Sequence, residues 1–107
     1  MQLTVYIDDV EKTLNVPDDI LTEGMDFFAK MDRDMDQGWQ MSRIWVDHPD
    51  RVQRCQIAAS KMLDAISMEN ETVLMLMVGY IKSRLPQVVG VRIDTAGEMS
   101  ETELLTQ

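Results

Sequence analysis

Three aspartates, Asp32, Asp34 and Asp36, occupy alternate positions in the segment MDRDMDQG, which closes on Gly38. Carboxylates in this pattern supply oxygen ligands for a hard cation, calcium or magnesium, if the backbone turns so that they converge. The helix–loop–helix calcium loop also needs a glycine at its sixth position and a bidentate acid at its twelfth. Counted from Asp32, those positions hold Gln37 and Arg43, so that motif fails. What remains is a looser divalent-cation site. The competing reading is a solvated helix end whose acids pair with Arg33, Arg43, Arg51 or Arg54. On a continuous helix Asp32 and Asp36 share a face while Asp34 points away.

The other reactive side chains do not assemble. Cys55 is the only cysteine, which excludes an internal disulfide, a four-thiolate zinc site and a cysteine-ligated iron–sulfur cluster. His48 is the only histidine, and seven residues of helix would hold it about 10 Å from Cys55, beyond the reach a thiol–imidazole pair needs. No Gly-x-Ser-x-Gly elbow is present. The five glycines are isolated and trace neither a phosphate loop nor a dinucleotide fingerprint. Nineteen acids offer many carboxylate pairs and single out none. No catalytic or cofactor-binding residue is assigned.

Residues suited to contact are easier to find. The chain has ten methionines and two tryptophans. Read as a short helix, the stretch through Trp39, Met41, Ile44 and Trp45 places Trp39 and Arg43 one turn apart, close enough to stack as cation and ring. Arginine and tryptophan together have the composition of an interface hot spot. Met35, Trp39, Met41 and Arg43 are therefore the candidate interaction residues. The alternative is that both indoles cover the core and that the methionines are flexible core filling.

Charge narrows the partners. The net charge of −9 is uneven: residues 8–36 carry −7, residues 37–94 carry +1, and the segment from Thr95 adds −3. Such a field repels phosphate backbones and anionic lipid headgroups and favours basic proteins and cations. Nucleic acid and membrane are excluded as default partners. The N-terminal residues lack a basic start followed by an apolar run, so a cytoplasmic location is expected.

The elements that must position these residues follow from periodicity. Leu3, Val5 and Ile7 alternate with Thr4 and Tyr6, and Leu14 and Val16 resume the alternation beyond Asp8-Asp9, predicting a β-hairpin over residues 2–16. Ile20 to Met31 has helical spacing, with Gly24 inside it as a mark of close packing. Val52, Cys55, Ala59, Met62, Leu63 and Ile66 predict a third helix. Val73 to Ile81 is apolar all round and predicts a central helix sheathed by the rest of the molecule. Val88, Val89, Val91 and Ile93 predict a last strand beside the hairpin. The expectation is an α+β fold of one domain, residues 1–94, in which a three-stranded sheet packs on three to four helices. Residues 95–107 are read as an acidic tail, disordered or forming a short helix from the capping box at Ser100–Glu103.

The stretch Met31-Asp32-Arg33-Asp34-Met35-Asp36-Gln37-Gly38-Trp39-Gln40-Met41-Ser42-Arg43, continuing to Asp47-His48-Pro49, resembles a family of small uncharacterised bacterial proteins. That family has no assigned activity, so the resemblance implies no ligand or catalytic residue. The hairpin Thr4 to Val16 is similar to the opening of β-grasp folds. Together these readings lead to a non-enzymatic accessory or regulatory protein that binds a protein partner or itself as a homodimer. A divalent-cation-binding protein using Asp32, Asp34 and Asp36 is the alternative.

Overall fold

The computed structural model describes residues 1–107. The alternating N-terminal segment forms strands β1 (Gln2–Ile7) and β2 (Val10–Asn15), paired antiparallel with Leu3 opposite Leu14. The turn between them holds Asp8 at φ 54°, a left-handed conformation that a short polar side chain tolerates. Strand β5 (Val88–Ile93) lies parallel to β1, with Val5 opposite Val91. A parallel pair cannot be joined by a tight turn, and the helices supply the crossover between β1–β2 and β5.

The sheet has four strands in the order β2-β1-β5-β6, one more than the sequence predicts. The extra strand, β6 (Glu103–Thr106), comes from the segment read as an acidic tail and pairs antiparallel with β5. Its capping box yields only a 3₁₀ turn at Met99–Glu101. Leu104 packs on the core opposite Val91, and the buried Thr102 accepts the Asp94 amide on its hydroxyl at 3.0 Å. From helix α3 (Arg51–Ser67), Gln56 donates its amide to the carbonyls of Ser100 and Thr102 at 3.2 and 3.1 Å. An open edge on β5 and a buried amide donor outweigh the local helix signal.

Two helices precede α3, α1 (Ile20–Glu23) and α2 (Met25–Asp36), separated at Gly24. The glycine does mark close packing. A Cβ there would lie 2.6 Å from Cζ of Phe28, and one on Gly79 would lie 2.8 Å from the same atom. The two glycines form a slot for the Phe28 ring, which meets Tyr80 edge-on with centroids 6.0 Å apart.

The helix expected at Trp39–Trp45 is instead a small hairpin, β3 (Trp39–Met41) and β4 (Ile44–Val46). Gly38 at φ 101° ends α2, and Ser42 at φ 61° begins the two-residue loop, where hairpins of this length require a left-handed residue. The Ser42 hydroxyl donates to the Gly97 carbonyl and accepts the Met99 amide at 2.9 Å, tying the loop to the C-terminal segment.

Asp50 caps α3 and forms a reciprocal box with Gln53, so Pro49 stands before the cap and not at the first helical position. Asn70 caps α4 (Glu71–Arg84). The more enclosed helix is α3, buried from Cys55 to Ala59 and in contact with α4, β5 and β6. Helix α4 is buried only from Met77 to Ile81. Its first apolar turn, Val73 to Leu76, is half-buried, so the predicted sheath is incomplete. No helix is long and apolar enough to cross a membrane.

Candidate functional site

The three aspartates go to different partners. Asp32 lies at the meeting of α2, α3 and α4. Its carboxylate accepts the Tyr80 hydroxyl at 2.6 Å, Nε and Nη2 of Arg84 at 3.0 and 2.6 Å, and Nη1 of Arg54 at 3.3 Å. Arg54 also donates Nη2 to Asp36 at 2.6 Å and Nε to the Pro49 carbonyl at 2.8 Å. Asp34 faces away and pairs with Lys30 one turn earlier, at 3.1 Å. No group of three His, Cys, Asp or Glu side chains is placed to hold a metal ion. The helical spacing explains why: α2 runs unbroken to Asp36, so alternate residues diverge.

A cleft of about 440 Å³ opens over this hub, with His48, Asp50 and Arg51 on its rim. Its inner charges are mutually neutralised, Arg54 and Arg84 against Asp32 and Asp36. Partial burial pushes the Asp32 carboxyl up, but the hydrogen bonds from Tyr80 and Arg84 and the arginine charge outweigh it and hold it below the usual carboxylate range. Burial and the Asp32 carboxylate push the Tyr80 phenol well above its ordinary value. Neither group changes protonation near neutral pH, so neither is poised for proton transfer. Burial pushes the Cys55 thiol up to about 12, leaving no thiolate for nucleophilic chemistry.

The apolar groove on the opposite side of α2 has a different character. It has a volume of about 330 Å³ and is open to solvent along one side. Each wall is one stripe at helical spacing. Helix α2 gives Phe27, Lys30, Met31 and Asp34; α3 gives Lys61, Asp64 and Ala65, continued by its C-cap Met68; α4 gives Val73 and Met77. Met35 and Trp39 close one end. Four of the ten methionines line it, Met68 at the exposed lip and the buried Met31, Met35 and Met77 beneath. Met68 is 78% exposed and Phe27 40% exposed. The groove meets α4 at the half-buried Val73 and the buried Met77.

Of the four interaction candidates, the structure brings Met35 and Trp39 to this groove. Met35, at the end it closes with Trp39, is buried. Met41 is core and presents nothing to solvent. Arg43 stands fully out at the hairpin loop, 4.0 Å from Glu98. The predicted Trp39–Arg43 stack does not form, since a hairpin and not a helix separates them; the cation over Trp39 is Lys61, 4.9 Å from the ring centroid. Trp45 projects from the opposite face of the hairpin, its ring against Gly38 and its indole N–H donating to Asp47 at 2.8 Å. Sequence reasoning missed Lys61, Asp64 and Met68. Their signal was a second stripe on α3, one step round from its core face and mixed in polarity.

No family model, curated protein or solved structure matches this chain.

Proposed function

We propose that this chain is a non-enzymatic binding module that acts through protein contact, with the groove between α2, α3 and α4 as its contact surface. The observation that carries this reading is the concentration of methionine, Phe27 and Trp39 along one open channel. Methionine side chains are unbranched and polarizable and repack around varied apolar shapes at little cost. The rim alternates charge, with Lys30 and Lys61 against Asp34 and Asp64, which orients a partner without closing the channel. A homodimer is the version of this reading in which a second copy fills the groove. The divalent-cation alternative draws no support from the placement of Asp32, Asp34 and Asp36.

The test compares proteins captured from native lysate by the wild-type chain, by Phe27→Asp combined with Met68→Lys, and by Val10→Lys. Both groove positions are exposed, as is Val10 on the distant strand β2, so all three chains are expected to fold. Partners held by the wild type and by Val10→Lys but lost by the double variant support the reading. An unchanged set of partners, with light scattering showing an unchanged oligomeric state, would overturn it.

A further inference from the structure

We infer that the occupant of the groove is a basic amphipathic helix of a partner protein; this rests on the groove being the contact surface. The shape of the walls selects the backbone. They are mostly the sides of three helices, which expose side chains and no unpaired main-chain edge; Trp39, from the short strand β3, closes one end. An extended segment laid there would leave its amides and carbonyls without protein partners, whereas a helix satisfies its own. The volume of about 330 Å³ is at the small end for a pocket enclosing a whole organic ligand. It suits one or two apolar side chains inserted from a helix whose polar face stays in water.

Charge selects the sign of that polar face. Asp64 is on the wall, Glu69 and Glu71 flank Asn70 at the turn from α3 to α4, and Asp26 precedes Phe27 on α2. None of these four acids takes part in an ion pair. Of the nearby cations, Lys30 pairs with Asp34, Lys61 lies over Trp39, and Arg33, two turns after Asp26 on α2, has no ion pair, so free acids outnumber free cations. A lysine-bearing helix therefore meets the unpaired Asp64 on the wall and an excess of free carboxylates next to the lining residues, and the −9 net charge steers it inward from a distance.

The experiment uses two synthetic helices with identical leucine faces at i, i+3, i+4 and i+7, one with lysine and one with glutamate on the polar face. A third peptide scrambles the lysine version. Binding to the full chain carrying Trp45→Phe is read from Trp39 fluorescence, and sedimentation gives the oligomeric state. The lysine helix is expected to bind roughly tenfold or more tighter than either control, the worth of two or three rim ion pairs. That margin should shrink between about 50 and 300 mM salt as screening shortens. Met68→Lys should weaken it at least about tenfold, by lost apolar contact and by repulsion.

Equal binding of the lysine and glutamate helices, or of the scrambled peptide, overturns the inference. So does binding of dodecanoate but no peptide, or a dimer of this chain that Met68→Lys dissociates. In those cases the groove remains the contact surface and only its occupant changes. Tight binding of the lysine helix that ignores both Phe27→Asp and Met68→Lys removes the groove reading itself.

Discussion

Replacing Asp32 with asparagine removes the one acceptor that Tyr80, Arg84 and Arg54 share. The amide keeps the size, but its NH₂ is a donor turned towards guanidinium donors, and the countercharge is gone. A hydrogen bond to a charged group contributes about 1.5–3 kcal/mol, and such contributions are not additive within one network. Breaking a fully buried ion pair costs about 3–5 kcal/mol. The Asp32 side chain is 28% exposed, so water replaces part of what is lost, and a cost of about 2–3 kcal/mol is expected after that discount. For a chain of this length that is a fall of roughly 10 °C in Tm.

The pH dependence separates electrostatics from packing. The folded carboxyl of Asp32 titrates below its ordinary range, so as pH falls the unfolded chain takes up the proton first. Its contribution is complete above the unfolded carboxyl value, about 4, and is lost as pH falls through the folded value. Urea unfolding followed by circular dichroism at pH 7 and near pH 3 checks this. Wild type and Asp32→Asn should differ widely at neutral pH and converge in acid. Asp34→Asn, which removes an exposed pair one turn apart on α2, should change stability by less than about 0.5 kcal/mol. A gap under about 1 kcal/mol for Asp32→Asn at pH 7, or one as large at pH 3, would refute the hub as an electrostatic anchor.

Three further outcomes follow from the fold. Removing residues 98–107 takes away β6, Leu104 and the acceptors of the buried Gln56 amide; an orphaned buried amide alone costs about 1–3 kcal/mol, so Tm should fall markedly, whereas loss of a mere tail would leave it unchanged. Gly38→Ala places a Cβ at φ 101° and 2.3 Å from the Trp45 ring; the exposed ring can swing aside, leaving a backbone strain of about 1–3 kcal/mol measurable by urea unfolding. Cys55, buried with its thiol pushed up to about 12, should resist a thiol-specific disulfide reagent at pH 8 and react at full rate only in denaturant.

The strands were legible where burial on one face dictated alternation, as at Leu3, Val5 and Ile7, and helices α3 and α4 in the apolar spacing from Val52 to Ile66 and the apolar run from Val73 to Ile81. The hairpin at Trp39–Val46 was not. Its residues fit a helical template as well as a strand, and what decides between them is the left-handed backbone at Gly38 and Ser42 together with the tether from Ser42 to Gly97 and Met99, 55 and 57 residues away. The tail was misread for a related reason. Leu104-Leu105 is too short to announce a strand, and its partner is an edge that exists only after β1 and β5 have paired. Long-range contacts of this kind leave no local periodicity.

The aspartate triplet shows how the same residues can suggest one site and build another. On the helix that α2 forms, the alternation partitions the acids between its two sides: Asp32 and Asp36 turn to the arginines, Asp34 to Lys30 at the groove. The arginine side pins α2 to α3 and α4 through its last turns, and the Phe28 slot pins it near its start. Pinned at two places on that side, α2 turns its other side, Phe27, Lys30, Met31 and Asp34, to the groove. Loosening the Asp32 hub should disturb the groove as well as stability, so Asp32→Asn is expected to weaken groove binding even under conditions where the chain remains fully folded, while Asp34→Asn should alter only its charge dependence.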